Sequence, residues 1–165
     1  MPPITILPVS KANAHLLKPM LYLAFYVPEG EPPFPLSILE RPDILKYYKD
    51  WGKEGDYGFI AFQADKVVGV SWCRLHRPPD EGYGFVNEET PELNIALIPS
   101  ARGKGLGTQL LIALEEKLIT AEVSSLSLSV DQRNVVAFGL YKKLRYQITQ
   151  VAGTAITMLK VLDQK

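Results

Sequence analysis

One stretch of the chain decides the fold: Ile95-Ala-Leu-Ile-Pro-Ser-Ala-Arg102-Gly-Lys-Gly105-Leu-Gly107-Thr108. It indicates a strand that ends at a proline and a glycine-rich turn that leads directly into a helix. Glycines let backbone N–H groups point into one concavity, and the helix N-terminus adds unpaired donors and the positive end of its dipole. Such a concavity binds phosphate oxygens. The alternative interpretation is a tight turn whose glycines serve the geometry alone.

The glycine spacing differs from that of two other phosphate-binding turns. A Walker A loop has four residues between its glycines and then Lys-Ser or Lys-Thr, whereas Lys104 lies between closely spaced glycines. The dinucleotide-binding fingerprint requires a third glycine three residues after Gly107, where Leu110 stands. The spacing therefore excludes both motifs.

Elements with regular hydrophobic patterns extend from this stretch in both directions. Leu93–Ile98 has the composition of a strand, and Gly107–Thr120 carries apolar residues on one face at helical spacing. The upstream pattern predicts a strand at Ile4–Leu7, helices at Lys11–Val27 and Leu36–Trp51, and strands at Gly58–Gln63 and Val67–His76. The downstream pattern predicts a strand at Ser125–Val130, a helix from Asn134 to Leu144, and strands at Tyr146–Val151 and Ala155–Val161. This order indicates an α+β fold of mixed α/β layers, in which helices cover a twisted central sheet.

Prolines divide the N-terminal part of the chain. Pro19 lies inside the first predicted helix and should kink or divide it, and Pro42 interrupts the second. Pro28–Pro35 contains four prolines and is predicted to be a loop. Arg77–Pro91 is polar, contains three prolines and is predicted to be a long loop.

The composition limits the class of protein. The 165 residues contain 18 basic and 18 acidic side chains, so no net charge attracts the chain to nucleic acid or to an anionic membrane. The longest apolar stretch, Met20–Val27, is far shorter than the ~20 residues of a membrane span, and we see no signal peptide. Cys73 is the only cysteine, and His15 and His76 have no ligand-spaced partners, so we expect no metal site. We expect residues 1–165 to form one soluble, cytoplasmic domain that binds neither nucleic acid nor membrane.

Two motifs together resemble the GNAT superfamily of N-acetyltransferases. The family's central motif, Gln/Arg-x-x-Gly-x-Gly/Ala, is matched by Arg102, Gly105 and Gly107. Its second motif, Asn-x-x-Ala-x-x-x-Tyr, is matched by Asn134, Ala137 and Tyr141. The resemblance covers nearly the whole chain. It implies a GNAT-like acyl-CoA N-acyltransferase fold, with the order β-α-α-β-β-β-α-β-α-β-β around a twisted, mostly antiparallel sheet.

Two positions depart from the family's pattern. The second motif usually ends in Gly-Phe, but Arg145-Tyr146 follows Leu144 here. Because a glycine suits a helix end with positive φ, we expect the turn at Arg145 to differ from the family's. Many protein-modifying members carry a glutamate base five residues before the Asn, where this chain has Ser129. A base for this chain must therefore come from elsewhere.

The resemblance implies acetyl transfer from acetyl-CoA to an amine, without a metal, and suggests which residues bind acetyl-CoA. The strand backbone would pair with the pantetheine arm through Ile95, Ala96 and Leu97. The turn amides would bind the pyrophosphate through Gly103, Lys104, Gly105, Leu106, Gly107 and Thr108. The Arg102 and Lys104 side chains would add charge-assisted contacts, unless they are simply solvated loop cations. The resemblance also assigns Asn134 and Tyr141 to the residues that bind acetyl-CoA.

An amine that attacks a thioester must lose a proton, and the departing thiolate benefits from gaining one. The family places its general acid at the position of Tyr141, and a phenol with a pKa of ~10 is protonated at neutral pH. Glu92, at the start of the strand that leads into the phosphate turn, is our candidate base, since several members place a glutamate there. The alternatives are a half-buried core tyrosine and a solvated acid in an acidic loop.

Three functions stay open from the sequence. The favoured one is an acetyl-CoA-dependent N-acetyltransferase acting on a primary amine of a small molecule or a peptide. The second is a non-catalytic acyl-CoA-binding regulatory module, which the Ser129 substitution would permit. The third is a binder of nucleotide phosphates. Members of the family often form dimers, so the resemblance also suggests a homodimer, although the sequence itself does not determine the oligomeric state.

Overall fold

The computed structural model describes residues 2–163, which form seven strands and four α-helices. The strands are β1 (Ile4–Pro8), β2 (Tyr57–Gln63), β3 (Lys66–Arg74), β4 (Glu92–Leu97), β5 (Ser125–Asp131), β6 (Gln147–Ala152) and β7 (Ala155–Val161). The helices are α1 (Leu17–Ala24), α2 (Pro42–Leu45), α3 (Leu106–Thr120) and α4 (Val135–Lys143). Short 3-10 helices cover Ala14–Leu16, Leu36–Glu40 and Pro99–Ala101. Within residues 2–163, no helix has the length and apolar character needed to cross a membrane.

The strands form one sheet in the order β1-β2-β3-β4-β5-β7-β6. Neighbouring strands are antiparallel except β4 and β5, which run parallel and are paired at one position, Glu92 opposite Ser127. From residue 93 to residue 97, β4 therefore pairs with β3 on one side and with no strand on the other. The mostly antiparallel sheet expected from the sequence is confirmed. The divergence of β4 from β5 leaves an open strand edge in the middle of the sheet.

The two faces of β4 pack against different helices. Leu93 belongs to a buried cluster with Leu111 and Leu114 of α3, which also contains the apolar residues of β5 and β7. Ala96 belongs to a second buried cluster, formed with α1 and the strands β2 and β3. This alternation follows from the period of two residues in a strand. Helices thus cover both faces of β4, and its open edge lies between them.

The N-terminal helices are shorter than the hydrophobic pattern predicts. Instead of one helix over Lys11–Val27, a 3-10 turn precedes α1, and Pro19 lies in the first turn of α1 without dividing it. A first-turn N–H has no helical acceptor, so a proline costs little there. Pro42 does interrupt the second predicted helix, because it occupies the first position of the four-residue α2. The residues from α2 to Trp51 form turns rather than a helix.

The C-terminal end of α4 adopts the turn that a glycine would favour, contrary to our expectation for Arg145. Arg145 has a φ of 74°, in the left-handed region. The Tyr146 amide donates to the Tyr141 carbonyl at 2.9 Å and the Arg145 amide donates to the Lys142 carbonyl at 3.0 Å. These two bonds define a Schellman motif. Capping of the helix carbonyls therefore outweighs the steric cost of a left-handed arginine.

Candidate active site

The glycine-rich turn presents a row of free backbone amides. Gly103 and Gly105 have φ values of 75° and 85°, and Gly105 is the N-cap residue of α3. Among the described residues, none accepts a hydrogen bond from the amides of residues 103–108, and the first amide of α3 with a backbone acceptor is that of Gln109, bonded to the Gly105 carbonyl at 3.1 Å. Six consecutive donors at a helix N-terminus form a site suited to an anion such as a pyrophosphate.

This row of amides adjoins the open edge of β4. Gly107, in the first turn of α3, is buried, and a Cβ atom built on it would lie 3.6 Å from Leu140 of α4 and 3.7 Å from Leu97 of β4. Gly107 therefore lies beside side chains of both β4 and α4, with room for a single further carbon atom. An extended, amide-bearing molecule could pair with the unpartnered edge of β4 and reach the amides at one end.

The two cations of the turn occupy different surroundings. The Arg102 Nε donates to the carbonyl of Leu97 at 3.3 Å, so this side chain lies against the end of β4. Lys104 is exposed and lines a cleft of about 420 Å³ together with Ile98 and Gln109. Neither cation forms an ion pair with a carboxylate in the described chain. Both are thus available to a bound anion.

Asn134 and Tyr141 are placed by α4. Asn134 is the N-cap residue, and its Oδ1 accepts from the amide of Ala137 at 3.3 Å. This bond gives the Asn and Ala of the motif a structural role. Tyr141 is 7% exposed and its ring meets that of Tyr146 edge-on, with 5.8 Å between centroids. Burial raises the pKa of the Tyr141 phenol, so it stays protonated at neutral pH.

Glu92 lies where β4 and β5 begin to diverge, and it is buried, with 4% of its surface exposed. The interpretation of Glu92 as a solvated loop acid is therefore wrong. Its Oε2 accepts from the Tyr47 hydroxyl at 2.9 Å, whereas its Oε1 has no hydrogen-bond partner among the described residues. Burial raises the pKa of Glu92 to about 7, partly offset by the Tyr47 hydroxyl, the Gly84 amide and the charge of Lys46.

The loop between β3 and β4 closes over Glu92. A Cβ atom on Gly82 would lie 2.0 Å from the Glu92 Oε1, and one on Gly84 would lie 2.7 Å from the backbone N of Ser129. Only glycines allow the loop to approach the carboxylate and β5 so closely. The predicted loop over Arg77–Pro91 thus forms a cover for the candidate base.

Sequence reasoning missed Tyr47 and the position of His76 beside Glu92. Tyr47 lies in a segment predicted as helix, where one tyrosine among several carries no distinguishing signal. His76 is buried, its ring packs edge-on against Tyr47 at 5.1 Å, and its Nε2 has no partner among the described residues. Burial lowers the pKa of His76 to about 4, so it is neutral at pH 7. Their contacts join segments far apart in sequence, which no local pattern reveals.

The described residues contain no group of three or more His, Cys, Asp or Glu side chains that could hold a metal ion. Cys73 is fully buried, and burial raises the pKa of its thiol. The cysteine therefore belongs to the core of the sheet.

Comparison with curated proteins finds mycothiol acetyltransferases. The protein of Renibacterium salmoninarum is 29% identical over 110 residues, which are 67% of this chain and 31% of that protein. The protein of Geodermatophilus obscurus is 31% identical over 85 residues, which are 52% of this chain and 27% of that protein. The chain thus spans about a third of the length of the curated relatives it matches.

Solved acetyltransferases share the fold over nearly the whole chain. Ribosomal-protein-alanine N-acetyltransferase from Brucella melitensis has a TM-score of 0.67 at 18% identity, covering 96% of this chain and 99% of that one. An N-acetyltransferase from Thermoplasma acidophilum, solved with coenzyme A, has a TM-score of 0.66 at 18% identity with the same coverage. A model of the acetyltransferase (GNAT) family matches residues 20–146. Since this match covers most of the sequence, the chain belongs to the GNAT family of acetyltransferases.

Proposed function

We propose that this chain is an acetyl-CoA-dependent N-acetyltransferase whose acceptor is a primary amine of a small molecule or a peptide. One observation carries the proposal: six free amides at residues 103–108 adjoin an open β4 edge that starts at a buried glutamate. The free amides suit the pyrophosphate of acetyl-CoA, and the open strand edge suits its pantetheine arm. The family and the curated mycothiol acetyltransferases support acetyl transfer.

The residues divide the binding of acetyl-CoA between backbone and side chains. The pantetheine arm would pair with the backbone of Ile95, Ala96 and Leu97, and the pyrophosphate would accept bonds from the amides of residues 103–108. Arg102 and Lys104 would add charge-assisted contacts to phosphate oxygens. Because Asn134 caps α4, it would act by placing the helix that carries Tyr141.

The reaction requires one base and one acid. The acceptor nitrogen attacks the thioester carbonyl carbon, a C–N bond forms, the C–S bond breaks, and the CoA thiolate leaves. Glu92, with a pKa of about 7, is ionised in a large fraction of molecules at neutral pH and would take the proton of the amine. Its Oε1 is buried, so the proton would travel through a water molecule or after a movement of the Gly82 loop. Tyr141, which stays protonated, would supply the proton to the thiolate.

Thiol release from acetyl-CoA tests the proposal on a panel of polyamines, aminoglycosides, amino acids and N-terminal peptides. We expect turnover with at least one amine. In Tyr141→Phe, which retains the ring, we expect kcat to fall by ~10² or more with unchanged acetyl-CoA affinity, since general acid catalysis typically contributes ~10²–10⁴-fold. A kcat within about threefold of wild type would remove Tyr141 as the acid.

The same panel separates the competing functions. Tight CoA binding without turnover of any amine would favour the non-catalytic acyl-CoA-binding module. The observation that supports this module is Ser129, which stands where many protein-modifying members of the family carry a glutamate base. Calorimetry with ATP and NAD beside acetyl-CoA tests the third function. Tighter binding of either nucleotide than of acetyl-CoA would contradict the proposal.

A further inference from the structure

We infer that Tyr47 is a positioning residue that holds the Glu92 carboxylate by its Oε2 and thereby makes Oε1 the oxygen that receives the acceptor's proton. The inference rests on the proposed function, in which Glu92 is the base. It concerns a tyrosine outside both family motifs, in the turn that follows α2.

The hydroxyl of Tyr47 has neighbours on two sides. The backbone N–H of Tyr83 donates to this hydroxyl oxygen at 2.7 Å, and the hydroxyl itself donates to the Glu92 Oε2 at 2.9 Å. An amide N–H can only donate, and a phenol carries a single hydrogen. The hydrogen of Tyr47 is therefore directed to Oε2 of the ionised carboxylate.

The remainder of Tyr47 is fixed by its surroundings. The residue is 4% exposed, its carbonyl accepts from the indole Nε1 of Trp72 at 2.8 Å, and the His76 ring packs against its ring. Burial and the charge of Glu92 raise the pKa of the phenol, so Tyr47 remains a donor across the neutral pH range. A buried phenol that keeps its hydrogen and already accepts from the Tyr83 amide therefore donates to Oε2 of the ionised carboxylate.

The consequence for Glu92 follows from its two oxygens. Oε2 receives the Tyr47 hydrogen, while Oε1 has no hydrogen-bond partner in residues 2–163 and lies where a Cβ of Gly82 would come within 2.0 Å. A proton added to the carboxylate thus binds at Oε1, the oxygen without a donor. Loss of the Tyr47 hydroxyl removes the side-chain donor that distinguishes the two oxygens and a bond that favours the ionised form, and it leaves the Gly84 amide and the charge of Lys46 in place.

Other titratable and charged groups surround Glu92, and each of them could also change its pKa. Lys46 and Tyr47, which follow α2, act on Glu92 directly. Arg74 at the end of β3 is its cross-strand partner, and His76 and Asp80 belong to the segment after β3 that covers it. Lys46 pairs with Asp80 and Arg74 pairs with Asp56, so both cations already have partners. His76 is neutral down to about pH 4. Among these groups, Tyr47 alone makes a side-chain hydrogen bond to the Glu92 carboxylate.

Carbon-13 NMR of protein labelled at glutamate carboxyls tests the inference without a substrate. Glu92→Gln identifies the Glu92 signal, and the signal is titrated in wild type, Tyr47→Phe and Tyr48→Phe. We expect the pKa of Glu92 to rise by about one unit or more in Tyr47→Phe, a tenfold change in its ionisation constant. Tyr48→Phe is the matched control, because the neighbouring hydroxyl donates to the Leu39 carbonyl instead, and should leave the pKa unchanged.

A second arm uses the acceptor found in the thiol-release panel. In Tyr47→Phe the acid limb of the pH profile of kcat/KM should shift to higher pH by the same amount as the carboxyl pKa, while acetyl-CoA affinity is retained. An unmoved Glu92 pKa in folded Tyr47→Phe overturns the inference, whatever the activity. A shifted pKa with no shift of the kinetic limb instead removes Glu92 as the base, so failure of the proposed function is distinguished. Should Tyr47→Phe not fold, the carbon-13 signal of the Tyr47 Cζ in wild type must shift with the titration of Glu92, because its hydroxyl donates to Oε2, and a constant signal overturns the inference.

Discussion

At the residue scale, Arg145 shows how a helix end can tolerate an unfavourable side chain. It occupies the left-handed position of the Schellman motif that ends α4, and its neighbour Tyr146 packs against Tyr141 across that motif. A left-handed residue with a Cβ costs roughly 1 kcal/mol relative to glycine. The turn thus helps to place the candidate acid, at a cost in stability.

Replacing Arg145 should recover that cost. We expect Arg145→Gly to raise the free energy of unfolding by about 0.5–1 kcal/mol, measured by urea denaturation. Arg145→Ala is the matched control, because it removes the same charge and keeps a Cβ, and it should show no comparable gain. Equal stabilities of the glycine and alanine variants would mean that the left-handed conformation carries no strain.

At the scale of an element, the first turn of α3 combines two requirements. In the proposed function its amides stay free for a phosphate, while its backbone at Gly107 lies beside Leu97 of β4 and Leu140 of α4. A Cβ at Gly107 would make ordinary contacts of 3.6–3.8 Å with Leu140, Leu97 and Ile95, so the fold has room for one more carbon there. The γ-methyl groups of a valine would extend further into the gap beside the amides.

We therefore expect Gly107→Val to fold and to lose acetyl-CoA binding, measured by calorimetry with a thermal unfolding scan as the folding check. Gly139→Val is the matched control, since Gly139 lies on the exposed side of α4 and a Cβ there meets no atom within 4 Å. Undiminished CoA affinity in folded Gly107→Val would exclude this turn as the pyrophosphate site.

At the scale of the whole molecule, the sequence predicts best what depends on local patterns. The strands and α3 follow from their hydrophobic period, and the turn at Gly105 follows from its glycine spacing. The helices before β2 are predicted poorly, because apolar residues there contact β3 and β4 from turns as well as from helices. The burial of Glu92 could not be predicted, because a loop that is polar in sequence covers it through Gly82 and Gly84.

Two buried groups, Glu92 and His76, give the molecule opposing responses to pH. The pKa of Glu92 is raised from 4.5 to about 7, so the folded state holds more protons than the unfolded state between these values and stability falls as pH rises. The pKa of His76 is lowered from 6.5 to about 4, so the unfolded state holds more protons there and stability rises with pH. Because the two windows overlap, the two responses largely cancel in the wild type.

Single substitutions should reveal each response. A shift of 1 pKa unit corresponds to 1.36 kcal/mol, so the free energy of unfolding of Glu92→Gln, relative to wild type, should increase by about 2–3 kcal/mol between about pH 5 and about pH 8. His76→Gln should show the opposite dependence on pH. Its free energy of unfolding relative to wild type should be constant above about pH 6.5 and should increase as the pH falls below that value. Urea denaturation at several pH values measures both differences, and only their change with pH is used, since each variant also loses packing at every pH. A pH-independent difference for Glu92→Gln would show that the carboxyl group titrates in the folded protein as it does in the unfolded chain, and Glu92 would then lack the elevated pKa that suits it to act as a base.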